Sequence, residues 1–284
     1  MLFRFQNKEV GMFKSFSAIG ILLFTRILFS ATDPSEIVRS GEEKMRGDST
    51  QVLMTMSVSH ADYKRDLKLR SWTLGKNKSL VEILKPVKEE GVTSLRSATE
   101  MWNYLPKTDQ VIRVPSSMML QSWMGSDFTN DDLMKMSSLN TDYTHQLKGV
   151  KKLNGEDTYL IQCTPKKNAP VVWGKVLYWA RTEDNLPVKE EFFDDKGVRV
   201  RTLHLSGFKQ MDDRTVPTVL KIQREENPNE STTVTYEKIL YNRAVTEKLF
   251  DKDSIRRTSQ QGKRSNEGWI EEPLSPKTGE TAVN

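Results

Sequence analysis

At 284 residues with a formal charge of +5, the chain is long enough for one large domain or two small ones. Of its 43 Lys/Arg and 38 Asp/Glu, four and one fall in the first 31 residues, so the rest carries 39 against 37, a net of +2. That balance gives no electrostatic basis for nucleic-acid binding, and a single cysteine, Cys163, excludes an internal disulfide.

Residues 1–31 have the pattern of an export signal. Arg4, Lys8 and Lys14 make a basic start, Phe16 to Phe24 is an apolar run, and Leu28-Phe29-Ser30-Ala31 offers small residues for cleavage. Met12 is an alternative start that gives a more compact signal. Arg26 interrupts the apolar stretch, which is too short for the ~20 residues of a membrane-spanning helix. No cysteine lies near the cleavage point, so the chain is not expected to be a lipoprotein itself.

Asp33-Pro34-Ser35-Glu36 is a helix start, with an Asp cap, Pro at the first position and an acid in the first turn. Ile37, Val38 and Met45 then recur at roughly helical spacing up to Gly47, predicting one helix over 34–46. Val52, Met54, Met56 and Val58 alternate with Leu53, Thr55, Ser57 and Ser59, the period of a strand. Short strands follow at 66–74, 80–84, 93–98, 101–105 and 110–114. Beyond an interruption, more are predicted at 143–150, 158–164, 174–181, 188–193, 198–208, 216–224 and 232–240, joined by turns such as Asn154-Gly155 and Asn227-Pro228-Asn229. Such regular short strands without βαβ alternation predict an antiparallel sheet, sandwich or barrel. The polar stretch 256–284 has the composition of a disordered tail, leaving a folded domain at 32–255.

The interruption is the most informative stretch. Pro115 to Leu133 concentrates Met118, Met119, Leu120, Trp123, Met124 and Phe128 among turn and cap signals. Two helical pieces are predicted, at 116–123 and 129–136, the second opened by a capping box of Thr129 and Asp132. Met fills irregular gaps and aromatic rings bring large contact area, so the segment reads as a lid over an apolar cavity. Met54 and Met56 on the first strand, and Trp102 in the mixed strand Met101–Leu105, are further candidates to line it. Replacing Trp123 by Asp is expected to abolish binding of the cavity's ligand with the fold intact. Trp173 and Trp179 read as ordinary core.

No catalytic residue, metal site or cofactor is assigned. His60 falls in a turn, His145 and His204 fall in strands, and neither HExxH, His/Cys metal spacing nor GxSxG occurs. Asp127, Asp131 and Asp132 lack EF-hand spacing, and helix capping explains the last two more simply. Cys163, in Tyr159–Thr164, reads as a small buried apolar residue.

Lys44–Asp48, Glu100–Pro106, Pro115–Leu133, Ala169–Lys175 and Arg214–Thr218 together make the chain resemble the LolA-like family of outer-membrane lipoprotein-sorting proteins over about 33–256. The resemblance implies a mostly β fold: an incomplete, half-open antiparallel β-barrel whose concave face is covered by helices. It further implies a periplasmic carrier of lipid or lipoprotein acyl chains, with an inner-membrane exporter and an outer-membrane acceptor as partners. Met54, Met56, Trp102, Met118, Met119, Trp123, Met124 and Phe128 are the expected lipid-binding residues. A lipid-sensing module and a lipid hydrolase are the alternatives, the last disfavoured by the lack of a nucleophile motif.

Overall fold

A computed structural model describes residues 33–134 and 138–256. The export signal expected at 1–31, residues 257–284 of the polar tail, and the end of the second predicted helix lie outside these residues. Helix α1 spans Pro34–Arg46, as predicted. Its start is set by Asp33, whose side chain accepts the Ser35 N–H at 2.9 Å, and its end by Gly47 at φ +65°. Ile37, Val38 and Gly41 form its buried face, while Arg39 joins Glu36 and Glu43 on the solvent side. A Cβ on Gly41 would lie 2.4 Å from the Tyr178 hydroxyl, so only glycine lets the helix settle this close to the sheet.

Thirteen strands are described: β1 (Ser49–Ser59), β2 (Lys64–Leu74), β3 (Lys78–Lys85), β4 (Thr93–Ser97), β5 (Glu100–Leu105), β6 (Gln110–Arg113), β7 (Tyr143–Leu153), β8 (Glu156–Pro165), β9 (Lys175–Arg181), β10 (Pro187–Phe193), β11 (Arg199–Met211), β12 (Arg214–Arg224) and β13 (Ser231–Tyr241). They form one antiparallel sheet in the order β6-β5-β4-β3-β2-β1-β13-β12-β11-β10-β9-β8-β7. The first and last strands pair at its middle, through registers such as Met56↔Val234, and two meanders run outward to the edges β6 and β7. The edges do not pair, so the barrel stays open.

This topology dictates where the interrupting segment goes. Residues 114–142 must join one edge of the sheet to the other, and the described residues among them lie across one face. Bulges at Leu53/Met54, Lys68/Leu69 and Phe192/Phe193 bend the strands and curl the sheet around that face. In β13 the extra residue Glu237 also shifts the side-chain alternation, so Val234, Tyr236 and Ile239 all point inward.

The first of the two helices predicted in the interrupting segment does not form. Ser116–Met118 is a single 3-10 turn, and the chain then folds back on itself. The Trp123 N–H donates to the Phe128 carbonyl at 2.7 Å, Asp131 N–H to Met119 at 2.8 Å and Asn130 N–H to Gln121 at 3.1 Å. These cross-links take the donors an α-helix would need. Met124 (φ 51°) and Gly125 (φ 72°) make the reversal. Helix α2 (Asn130–Met134) follows, with the predicted capping box intact: the Thr129 N–H donates to Asp132 Oδ2 at 2.7 Å and the Asp132 N–H to Thr129 Oγ1 at 3.2 Å. A short helix not foreseen, α3 (Ser138–Asp142), leads into β7.

Candidate ligand-binding cavity

The curled face, α1 and the crossing segment enclose a cavity of about 310 Å³, within the size range of small-molecule sites. Its floor alternates along the strands: Met54 and Met56 of β1, Leu203 and Leu205 of β11, Leu220 and Ile222 of β12. Trp123, Phe128 and Leu133 of the crossing segment, Met45 of α1 and Trp173 of the β8–β9 connection roof it.

Four of the eight residues expected from the sequence meet here: Met54, Met56, Trp123 and Phe128. Met119 and Met124 instead pack, partly buried, against the core built on Met56, Leu67, Leu69 and Ile83. Met118 is 40% exposed. Trp102 lies on the opposite face, in a cluster with Trp72, Leu80, Tyr104, Phe250 and Ile255. The strand period of two explains this, because Met101 is the β5 residue that joins the cavity-side core. Leu203, Leu205, Leu220 and Ile222 were missed, since alternation marks an apolar face without telling whether it is packed or hollow.

The roof is fastened rather than loose. Trp123 is 2% exposed, and its indole N–H donates to Ser94 Oγ at 2.9 Å. An Asp at Trp123 would therefore put an unpaired carboxyl in the core, and the expectation of an intact fold is withdrawn. Asp127, 3% exposed, exchanges hydrogen bonds with Thr232 (2.9 and 2.7 Å) and lies 3.2 Å from His60 Nε2 and 3.3 Å from Arg224 Nε. Asp132 accepts from Arg201, with Nη1 at 2.7 Å, and Arg201 lies against both Trp173 and Phe192, whose tilted rings touch each other, with its Cζ 4.5 and 4.6 Å from the ring centres. Burial raises Asp132, but Arg201 and Thr129 outweigh it and hold the carboxyl below its usual range. Asp127 and Asp132 are thus drawn to different partners, and among the described residues no acidic, His or Cys group gathers into a metal site.

Ionisable groups also enter the cavity. Glu42 of α1 is raised to about 7 by burial, against the pull of the Asn140 N–H, Arg46 and Lys76. Glu190 of β10 is raised to about 7 by burial and by Glu42. Its remaining accessible surface opens into the cavity. The Tyr178 hydroxyl, buried beside them, has no hydrogen-bond partner among the described residues and is pushed well up by burial. Cys163 is fully buried and its thiol likewise raised by burial, so it is no ready nucleophile.

The two glutamates give a pH dependence of stability. Because they hold protons up to about 7 when folded, against a reference of 4.5, the folded state binds more protons between those values. Stability from these groups is therefore full below about 4.5 and is lost as pH rises toward 7. Glu190→Gln is expected to stabilise the protein at pH 8 by about 2–3 kcal/mol and to flatten the slope between pH 5 and 8. Urea unfolding at both pH values measures this, and an unchanged slope would contradict the assignment.

A family model described as that of an uncharacterized protein matches residues 75–257. No curated protein matches the chain. Among solved structures, a DUF1329 family protein from Desulfovibrio piger superposes with a TM-score of 0.72 at 21% identity, over 79% of this chain and 100% of that one. A Vibrio parahaemolyticus domain described as outer membrane lipoprotein-sorting gives 0.69 at 24%, over 79% and 98%. A LolA superfamily protein from Nitrosomonas europaea gives 0.67 at 24%, over 78% and 99%.

Proposed function

We infer the function from one premise: the chain belongs to the family of uncharacterized proteins whose model matches residues 75–257, and it has the fold of the LolA superfamily. It is a carrier that takes acyl chains of lipids or lipoproteins into the concave cavity, in the periplasm, and ferries them from the inner to the outer membrane. An inner-membrane lipid exporter is the donor in this reading, and an outer-membrane protein the acceptor.

The observation that carries the proposal is the apolar cavity itself. A methylene hidden from water is worth ~0.8 kcal/mol, so a long acyl chain needs an enclosed apolar space to travel through water. Floor residues from β1, β11 and β12 supply it. Their contacts are non-directional, so grip scales with chain length and not with headgroup fit. No nucleotide-binding motif is found in the sequence, so direction comes from the relative affinities of donor and acceptor. Among the described residues, no helix is long and apolar enough to cross a membrane.

Transfer of a labelled phospholipid between two vesicle populations tests the proposal. The full chain is expected to speed transfer in proportion to its concentration. Binding without transfer would replace the carrier reading by a lipid-sensing one.

A further inference from the structure

Resting on the carrier reading, we propose that Arg46 and Arg96 form an anion subsite at one corner of the cavity, and that the cargo is an acyl lipid with a phosphate-type headgroup seated on these two guanidiniums.

The corner is built by the end of α1, the β2–β3 turn and β4. Arg46 sits in the last turn of α1, where its Nη1 donates to the Gly75 carbonyl of the turn at 3.3 Å. Arg96 is paired in register with Ser79 just beyond that turn. Both line the cavity, together with Lys76 and Lys78. Lys78 is engaged by Glu247 at 3.1 Å.

The two arginines are poorly answered by the protein. A guanidinium carries five N–H donors. Arg46 places one of them on a carbonyl, and the Arg96 Nε is buried with no hydrogen-bond partner among the described residues. The nearby acids are Glu42, one turn back on α1, and Asp131. Burial and then the like charge of Arg46 pull Arg96 down to about 10, with Asp131 opposing, so the two cations sit close enough to repel. Paired guanidiniums beside a hydrophobic space fit an amphiphile: the chain on the floor, the doubly accepting headgroup oxygens on the arginine forks.

A matched pair of ligands tests this. 1-Oleoyl-lysophosphatidic acid and 1-monooleoylglycerol share chain and glycerol and differ by the phosphate. Titrated into the full chain by calorimetry, the phosphate lipid is expected to bind about 100-fold tighter, from two charge-assisted contacts. Arg46→Gln with Arg96→Gln should shrink the preference to about threefold, with most of the loss falling on the phosphate lipid. Arg46→Lys with Arg96→Lys, which keeps the charge, should restore part of it. Equal affinity for the two lipids in the wild type, or a preference that survives the Gln pair, overturns the headgroup subsite while the carrier reading stands. Inorganic phosphate binding as tightly as the phosphate lipid would also overturn it, by making the corner a free-anion site. Failure of both lipids to bind would instead remove the carrier reading on which the subsite rests.

Discussion

Replacing Arg201 by Ala is expected to cost about 3–5 kcal/mol of stability, the effect of leaving a buried partner charge uncompensated. Arg201 is 3% exposed, bonded through both Nη atoms to Asp132 and packed against Trp173 and Phe192. Asp132 in turn caps α2, so the pair ties the crossing segment to β11. Chemical denaturation of Arg201→Ala, Asp132→Ala and the double variant would show strong coupling, because removing the second charge relieves the first. Additive losses, or a loss below about 1 kcal/mol for Arg201→Ala, would mean that the pair does not hold the roof. Asp132 is held low, so this stabilisation is present above the ordinary carboxylate pKa of 3.8 and disappears as pH falls through the lower folded value.

Leu220→Trp is expected to leave stability within about 1 kcal/mol of wild type and to weaken acyl-chain binding about fifty-fold. Leu220 is partly buried on the cavity floor, between Leu205 on β11 and Val234 on β13. A packed core would charge about 1–3 kcal/mol for the added bulk, whereas a hollow one accepts it. The indole would displace roughly three methylenes of ligand, worth ~2.4 kcal/mol. Thermal unfolding and fluorescent fatty-acid titration separate the two quantities. A marked loss of stability with binding unaffected would show that the ligand lies elsewhere.

Much of the fold was legible in the residues because it rests on local chemistry. Asp33 and Pro34 set the start of α1 and Gly47 its end, and alternation with turn signals marked each strand. Alternation does not reveal sheet order, so the half-open barrel was legible only through the resemblance, and the pairing of β1 with β13, which joins the two meanders and places Met54 and Met56 beneath the roof, only in the structure. The capping box at Thr129 and Asp132 was readable, whereas the fold-back around Asp127 was not, because its partners His60, Arg224 and Thr232 lie far along the chain. Distance in sequence hid the cavity's ionisable groups too. Glu190, Tyr178 and Arg201 sit in ordinary strand patterns, and only α1 and the roof make them interior. Trp102 was assigned by residue type when its neighbour Met101 had the inward position.

Mass spectrometry of organic extracts from the full chain, purified without detergent from an exporting bacterial host, measures cavity occupancy directly. A carrier is expected to yield a phospholipid or other acyl species near one per protein, and to lose it in the Leu220→Trp variant. A protein that comes out empty and takes up no added lipid would contradict acyl-chain binding altogether.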